Sequence, residues 1–224
     1  MYRLPLTRLA FGGGGRVGSA HNPDTPAPVA VAPTAAYDLI VLGRGRYAGV
    51  TRAVRAPSAP TEGWLRSHGR RQLAALSAAL ESADGNPGYR RAADAYDASA
   101  LLADRPQVLL DLVAVIVLAR DGLIAISDAT PRPAPPCFAN PLHGRAHKRS
   151  QWPAHRISSP HQVVPLCAPC SRSRANFERR ILLAPGYDGR PVPYFQLAGF
   201  WGRSGFGAFE ADFPRRVLEH LKVA

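Results

Sequence analysis

A chain of 224 residues with 46% apolar and 20% charged side chains has an ordinary globular composition and the length to bury a core. It carries 28 Lys and Arg against 16 Asp and Glu, a formal net charge of +12, and its three cysteines, an odd number, are poor material for a secreted disulfide framework. The most apolar stretch, Val108 to Ile126, is broken by Asp111, Arg120 and Asp121, and a membrane span needs roughly 20 uninterrupted apolar residues.

The N-terminus has no apolar core of signal-peptide length before Gly12. The expectation is therefore a soluble, cytoplasmic protein with no membrane partner. Residues 1–36, rich in Gly, Pro, Ala and Thr without an apolar period, read as a disordered tail. Gly12 to Gly18 lacks the Lys-Ser/Thr ending of a phosphate loop.

Residues 37–130 read as a mainly helical domain. Tyr37 to Leu42 has the composition of a strand, and Pro57 to Pro60 of a turn. From Trp64 the pattern turns helical, with Leu65, Leu73, Leu76 and Leu80 on one face and a stop at Asp84-Gly-Asn-Pro87. Two more helices are predicted over Tyr89 to Ala103 and Pro106 to Arg120. The second is apolar almost all round and so forms the core. Thr130 to Pro136 holds four prolines and reads as an extended linker between two modules.

Residues 137–224 read as a zinc-binding basic module, giving an α+β chain overall. A strand is predicted over Gln162 to Leu166, a helix over Cys170 to Leu183, a strand over Pro191 to Leu197 and a last helix from Phe209 to Leu221. This part holds 13 basic residues against five acidic, so most of the excess charge sits here. The basic residues of the chain are almost all arginine, Lys148 and Lys222 being the exceptions. With so much Ala, Pro and Gly, that bias fits a GC-rich genome better than selection for phosphate contacts.

All three cysteines fall in this module, as Cys137-Phe-Ala-Asn-Pro-Leu-His143 and Cys167-Ala-Pro-Cys170. Thiolate and imidazole are preferred zinc ligands, and a closed structural site takes four. Cys137, His143, Cys167 and Cys170 supply that set, with His147 as the substitute for His143. Cys167 and Cys170 open a predicted helix, where backbone N–H groups favour thiolates. The intervening 144–166 stretch has the length that treble-clef and ribbon-like zinc modules place between ligand pairs. Metal removal is then expected to unfold the C-terminal half and spare the helices.

Two catalytic readings compete. Ala154-His155 followed by His161-Gln162 and Leu166-Cys167-Ala-Pro-Cys170-Ser171 looks like the core of an HNH nuclease, with His155 as general base. The chain departs from that pattern in three places: Ala154 stands where an acidic residue or a second His belongs, Gln162 or His161 where an Asn belongs, and Ser171 where a His or Asn belongs. Cys167-Ala-Pro-Cys170 with Val192-Pro193-Tyr194 also resembles a thioredoxin-like redox site, yet residues 171–192 are too few for the intervening helix and strand. A deaminase is excluded because Gly144-Arg145 follow His143 where a Glu is required.

The motifs Cys137 to Gly144, Val164 to Cys170, Val192 to Phe195 and Trp201 to Ala208 resemble an uncharacterised set of actinobacterial proteins over residues ~90–224. That resemblance implies no activity. The late aromatics Tyr187, Tyr194, Phe195, Phe200, Trp201, Phe206, Phe209 and Phe213 are either the core of the module or, with the arginines among them, base-stacking groups. The reading that results is a non-enzymatic, zinc-stabilised basic protein whose partner is nucleic acid or an acidic protein.

Overall fold

Three helices carry the apolar stripes read from the sequence, and their ends have identifiable causes. The computed structural model describes residues 56–105 and 108–223. The predicted tail, the strand Tyr37 to Leu42 and the helix-opening Pro106 lie outside the described residues.

Helix α1 (Glu62–Glu81) is capped by Thr61, whose side chain accepts from the Trp64 N–H at 3.3 Å. Its buried residues Leu65, Gly69, Gln72, Leu76 and Ala79 recur at the three- and four-residue spacing of one helix face. Helix α2 (Tyr89–Ala103) buries Ala92, Ala95, Ala98, Ser99 and Leu102. These small residues let it lie close to α3 (Leu109–Ser127). The approach is closest at Gly88, where a Cβ would stand 1.9 Å from the Ala125 carbonyl oxygen, so no side chain fits there. Asn86 locks the same corner by donating to the Ile126 carbonyl at 2.9 Å and accepting from the Gly88 N–H.

Helix α3 runs seven residues beyond the predicted end at Arg120, and 14 of its 19 residues are buried. The charged Arg120-Asp121 pair does not stop it because both charges find partners. Asp121 accepts from Arg91 at 2.7 Å in a pair that is almost wholly buried, and Arg91 also donates to the Ala211 carbonyl.

The C-terminal part is built of short pieces. A bridge between Pro136 and Arg145 encloses a 3-10 turn, Pro141–His143. Strand β1 (Lys148–Gln151) pairs antiparallel with β2 (Val163–Leu166), and α4 (Ala168–Arg172) follows. Strand β3 (Leu183–Pro185) pairs with β4 (Pro191–Pro193), and α5 (Phe200–Ser204) and α6 (Phe213–Val223) close the chain. Pro214 is the second residue of α6, a first-turn position where its missing N–H costs nothing.

Three predicted elements of this part differ, and one strand has no counterpart in the sequence reading. The helix expected over Cys170 to Leu183 ends at Arg172. The chain turns extended at Ser173 and left-handed at Asn176 (φ 58°) because Phe177, Ile181 and Leu182 must all reach the core. The strand expected over Pro191 to Leu197 gives way at Tyr194 to a 3-10 turn, and the last helix begins at Phe213 rather than Phe209. Strand β1 is polar and largely exposed, so no apolar alternation announces it.

One apolar cluster joins Leu112 to Leu118 of α3 with Cys137, Phe138, Leu142, Val164, Leu166, Cys170, Tyr194, Phe206 and Val217. A smaller one holds α1, α2 and the end of α3 together through Leu76, Ala79, Ala92, Ala95, Leu123 and Ile126. The proline stretch 130–136 therefore connects two parts that share a core. The 57–60 turn adds to this: Asn140 donates to the Pro57 carbonyl and the Leu183 N–H to the Ser58 carbonyl. Of the late aromatics, Tyr194, Phe195, Trp201, Phe206 and Phe213 are buried, Phe200 and Phe209 pack against the core, and Tyr187 alone is 93% exposed. Their role is packing. Among the described residues no helix is long and apolar enough to cross a membrane.

Candidate metal centre

The chain brings Cys137, His143, Cys167 and Cys170 together, with ligand atoms all within 4.8 Å of one another. Each is placed by local structure. Cys137 and His143 lie on one tight loop, closed by the Cys137 N–H donating to the Gly144 carbonyl at 2.9 Å. Within it the Asn140 side chain accepts from the Leu142 N–H and starts the 3-10 turn that ends at His143. Gly144 then takes φ 87°, the left-handed region that glycine enters without strain. Cys167 caps α4 and Cys170 lies in its first turn, with the Ser171 N–H donating to the Cys167 carbonyl. The β1–β2 hairpin bridges the two ligand pairs.

The four residues could hold a metal ion, and the spacing tests the fit. The His143 Nδ1 lies 3.7 Å from Cys167 Sγ and 3.5 Å from Cys170 Sγ. In a tetrahedron with metal–sulfur bonds of about 2.3 Å and metal–nitrogen bonds of about 2.1 Å, the S···N edge is about 3.6 Å. The geometry at His143 matches that edge, and the four ligand atoms as a set lie within 4.8 Å, against an S···S edge of about 3.8 Å in such a tetrahedron. It also selects between the two histidines: His147 is exposed and engages through its backbone N–H, which donates to the Leu166 carbonyl.

The electrostatics point the same way. Burial pushes the Cys137 thiol up to about 12, with the neighbouring Cys167 sulfur adding to the effect. Cys167 moves far in the opposite direction because Cys137 and Cys170 donate hydrogen bonds to it. Cys170 is raised by its neighbours Cys137 and Cys167 and by burial. Three thiols packed this closely and left to themselves thus support one thiolate. A divalent cation is what would let all three ionise together.

A second layer holds the loop. Arg120 donates to the Leu142 carbonyl at 2.7 Å and to His68 Nε2 at 2.8 Å. Since a guanidinium only donates, His68 accepts from Arg120 at Nε2, while its Nδ1 lies 3.4 Å from the Arg71 guanidinium. Burial and the charges of Arg120 and Arg71 lower the His68 pKa to about 4, and burial lowers that of Arg120 to about 10. His68 is therefore neutral and Arg120 charged at neutral pH. Sequence reading missed this support; an arginine inside an otherwise apolar helix was its only signal.

The residues of the nuclease reading are dispersed in role. His155 is exposed on the loop between β1 and β2, beside Arg174, Asn176 and Glu178 in a cleft of about 210 Å³. His161 packs its ring on Phe209 at 3.9 Å. Ser171 donates to the Ala168 carbonyl of its own helix. Among the described residues, the Cys3His group is the one cluster of three or more metal-binding side chains. Comparison with protein-family models, curated proteins and solved structures gave no match.

Proposed function

We propose that Cys137, His143, Cys167 and Cys170 hold a structural zinc ion, and that the part of the chain it closes is a non-enzymatic module binding nucleic acid through its basic surface. The observation that carries this reading is the convergence of four zinc-type ligands, their ligand atoms within 4.8 Å of one another, within a segment of 13 basic and five acidic residues. Four protein ligands leave no position for a catalytic water, which favours structure over hydrolysis. The zinc supplies a tie between the Cys137–His143 loop and the start of α4. The residues around it do the rest: Asn140 shapes the loop, Arg120 anchors it, and the arginines outside carry the charge that phosphates would neutralise.

Binding to duplex or single-stranded DNA and RNA, followed by fluorescence anisotropy, tests the reading. A protein making 6–10 phosphate contacts loses about 10³–10⁵ in affinity between 50 and 200 mM salt, and a steep loss of that kind is the expected result. Binding insensitive to salt, or none at any salt, argues against nucleic acid and leaves an acidic protein as partner.

The cleft beside His155 supports one alternative, a metal-dependent nuclease with His155 as general base. Nicking of plasmid DNA with Mg²⁺ or Mn²⁺, lost in His155→Ala, would replace the non-enzymatic reading. A thiol redox role for Cys167 and Cys170 is disfavoured by the third sulfur and the imidazole crowding them. Cys167→Ser abolishing disulfide reduction would reinstate it.

A further inference from the structure

A cleft of about 290 Å³ lies where α3, the proline stretch 133–136 and the Phe206–Ala211 turn meet. Its lining includes five arginines: Arg91, Arg120, Arg132, Arg145 and Arg149. Two of them are neutralised, Arg91 by Asp121 and Arg145 by Asp128. Glu210 also lines the cleft; its buried Oε2 has no hydrogen-bond partner and lies 3.7 Å from Arg216 Nε. Arg120, Arg132 and Arg149 have no carboxylate partner among the described residues. Arg149 lies over the Phe209 ring at 5.8 Å, and Arg120 hydrogen-bonds only to a carbonyl and a neutral imidazole.

Arg120, half-buried without a counter-charge, carries a desolvation cost that a bound anion would offset. Three unneutralised arginines at one cleft match a dianion better than a single carboxylate, and guanidinium is the side chain suited to bidentate phosphate contacts. The remaining wall is apolar, with Val117, Ile124, Pro135, Phe206, Phe209 and Phe213. That combination suits a ligand with a flat apolar part beside its phosphate, and the volume is close to the lower end for small-molecule sites, about 300 Å³.

We propose that this cleft binds a phosphate monoester of mononucleotide size, with Arg120, Arg132 and Arg149 on the phosphate and the aromatic and proline wall against the flat group. The cleft borders the loop of the Cys3His cluster at Pro136, Pro141 and Gly144 without taking in its four ligands, and it does not depend on the nucleic-acid reading: a mononucleotide probes the cleft, whereas salt-dependent polymer binding probes the surface.

Calorimetric titration of the full-length protein with adenosine 5′-monophosphate, inorganic phosphate and adenosine tests it. The expected result is saturable, one-site binding of the monophosphate, with adenosine and inorganic phosphate each at least tenfold weaker. Arg132 and Arg149 are exposed, so the double variant Arg132→Ala/Arg149→Ala should keep its melting temperature and weaken the monophosphate at least tenfold. No saturable binding at millimolar ligand would overturn the proposal. So would affinity unchanged in the double variant, or inorganic phosphate binding as tightly as the nucleotide.

Discussion

Cys170→Ser, or treatment with a strong chelator, is expected to melt α1–α3 together with the C-terminal part rather than leave the helices standing. Spacing and the proline stretch 130–136 suggest two separable modules, with metal loss felt by the second alone. The shared core changes that expectation. Cys137 and Cys170 are 0% and 1% exposed and belong to the same apolar cluster as Leu112 to Leu118 of α3. Freeing them opens the face on which α3 packs. Structural zinc contributes about 10–16 kcal/mol in small zinc modules, while a whole domain is stable by only about 5–15 kcal/mol. Loss of a structural zinc ion from this cluster would therefore be comparable to the full stability. One cooperative transition, shifted strongly downward in both far-UV dichroism and aromatic fluorescence, is the expected observation. A melting curve unaffected by chelation and by the substitution would mean that metal does not hold this fold.

Phe138→Ala is expected to be the most damaging single truncation outside the ligands. The ring is 1% exposed and meets Trp152, His161, Tyr194, Phe195 and Phe209 at centroid distances of 5.1–6.0 Å. Its carbonyl accepts the buried Tyr194 hydroxyl at 2.7 Å, and its N–H donates to the Pro165 carbonyl. The backbone thus ties the Cys137 loop to β2 while the side chain centres the aromatic cluster. Truncating a buried phenylalanine costs about 3–5 kcal/mol, and in a chain of this size each kcal/mol lowers the melting temperature by about 2–4 °C. A fall of about 10 °C is expected, with a much smaller loss in Phe138→Leu. A loss of less than about 1 kcal/mol, at the level of an ordinary surface change, would show that the cluster is not the centre of packing.

What the sequence discloses follows from how local each signal is. Helices α1 and α2 are legible because their apolar spacing, the stop at Asp84 to Pro87 and the run of small residues are properties of neighbouring positions. The far end of α3 is not, since Arg120 and Asp121 look like terminators until Arg91 and Leu142, distant in sequence, neutralise or engage them. The same reason hides the end of α4: Ser173 breaks the helix to deliver Phe177, Ile181 and Leu182 to a core assembled from elsewhere. Strand β1 exists only because β2 pairs with it.

The Cys3His cluster is legible because few residue types bind metal in this way, and all three cysteines fall in one stretch. The choice of His143 over His147 is a matter of the turn set by Asn140 and Gly144, which spacing does not resolve. The arginine-lined cleft draws on α2, α3, the proline stretch and the Phe206 turn, so no linear pattern reports it.

Metal content of the tag-free protein, measured by plasma mass spectrometry, tests the central claim most directly. Zinc at about one ion per chain, lost in Cys170→Ser, is the result this account predicts. Protein that is folded, carries no zinc or other metal and keeps three free thiols would contradict it.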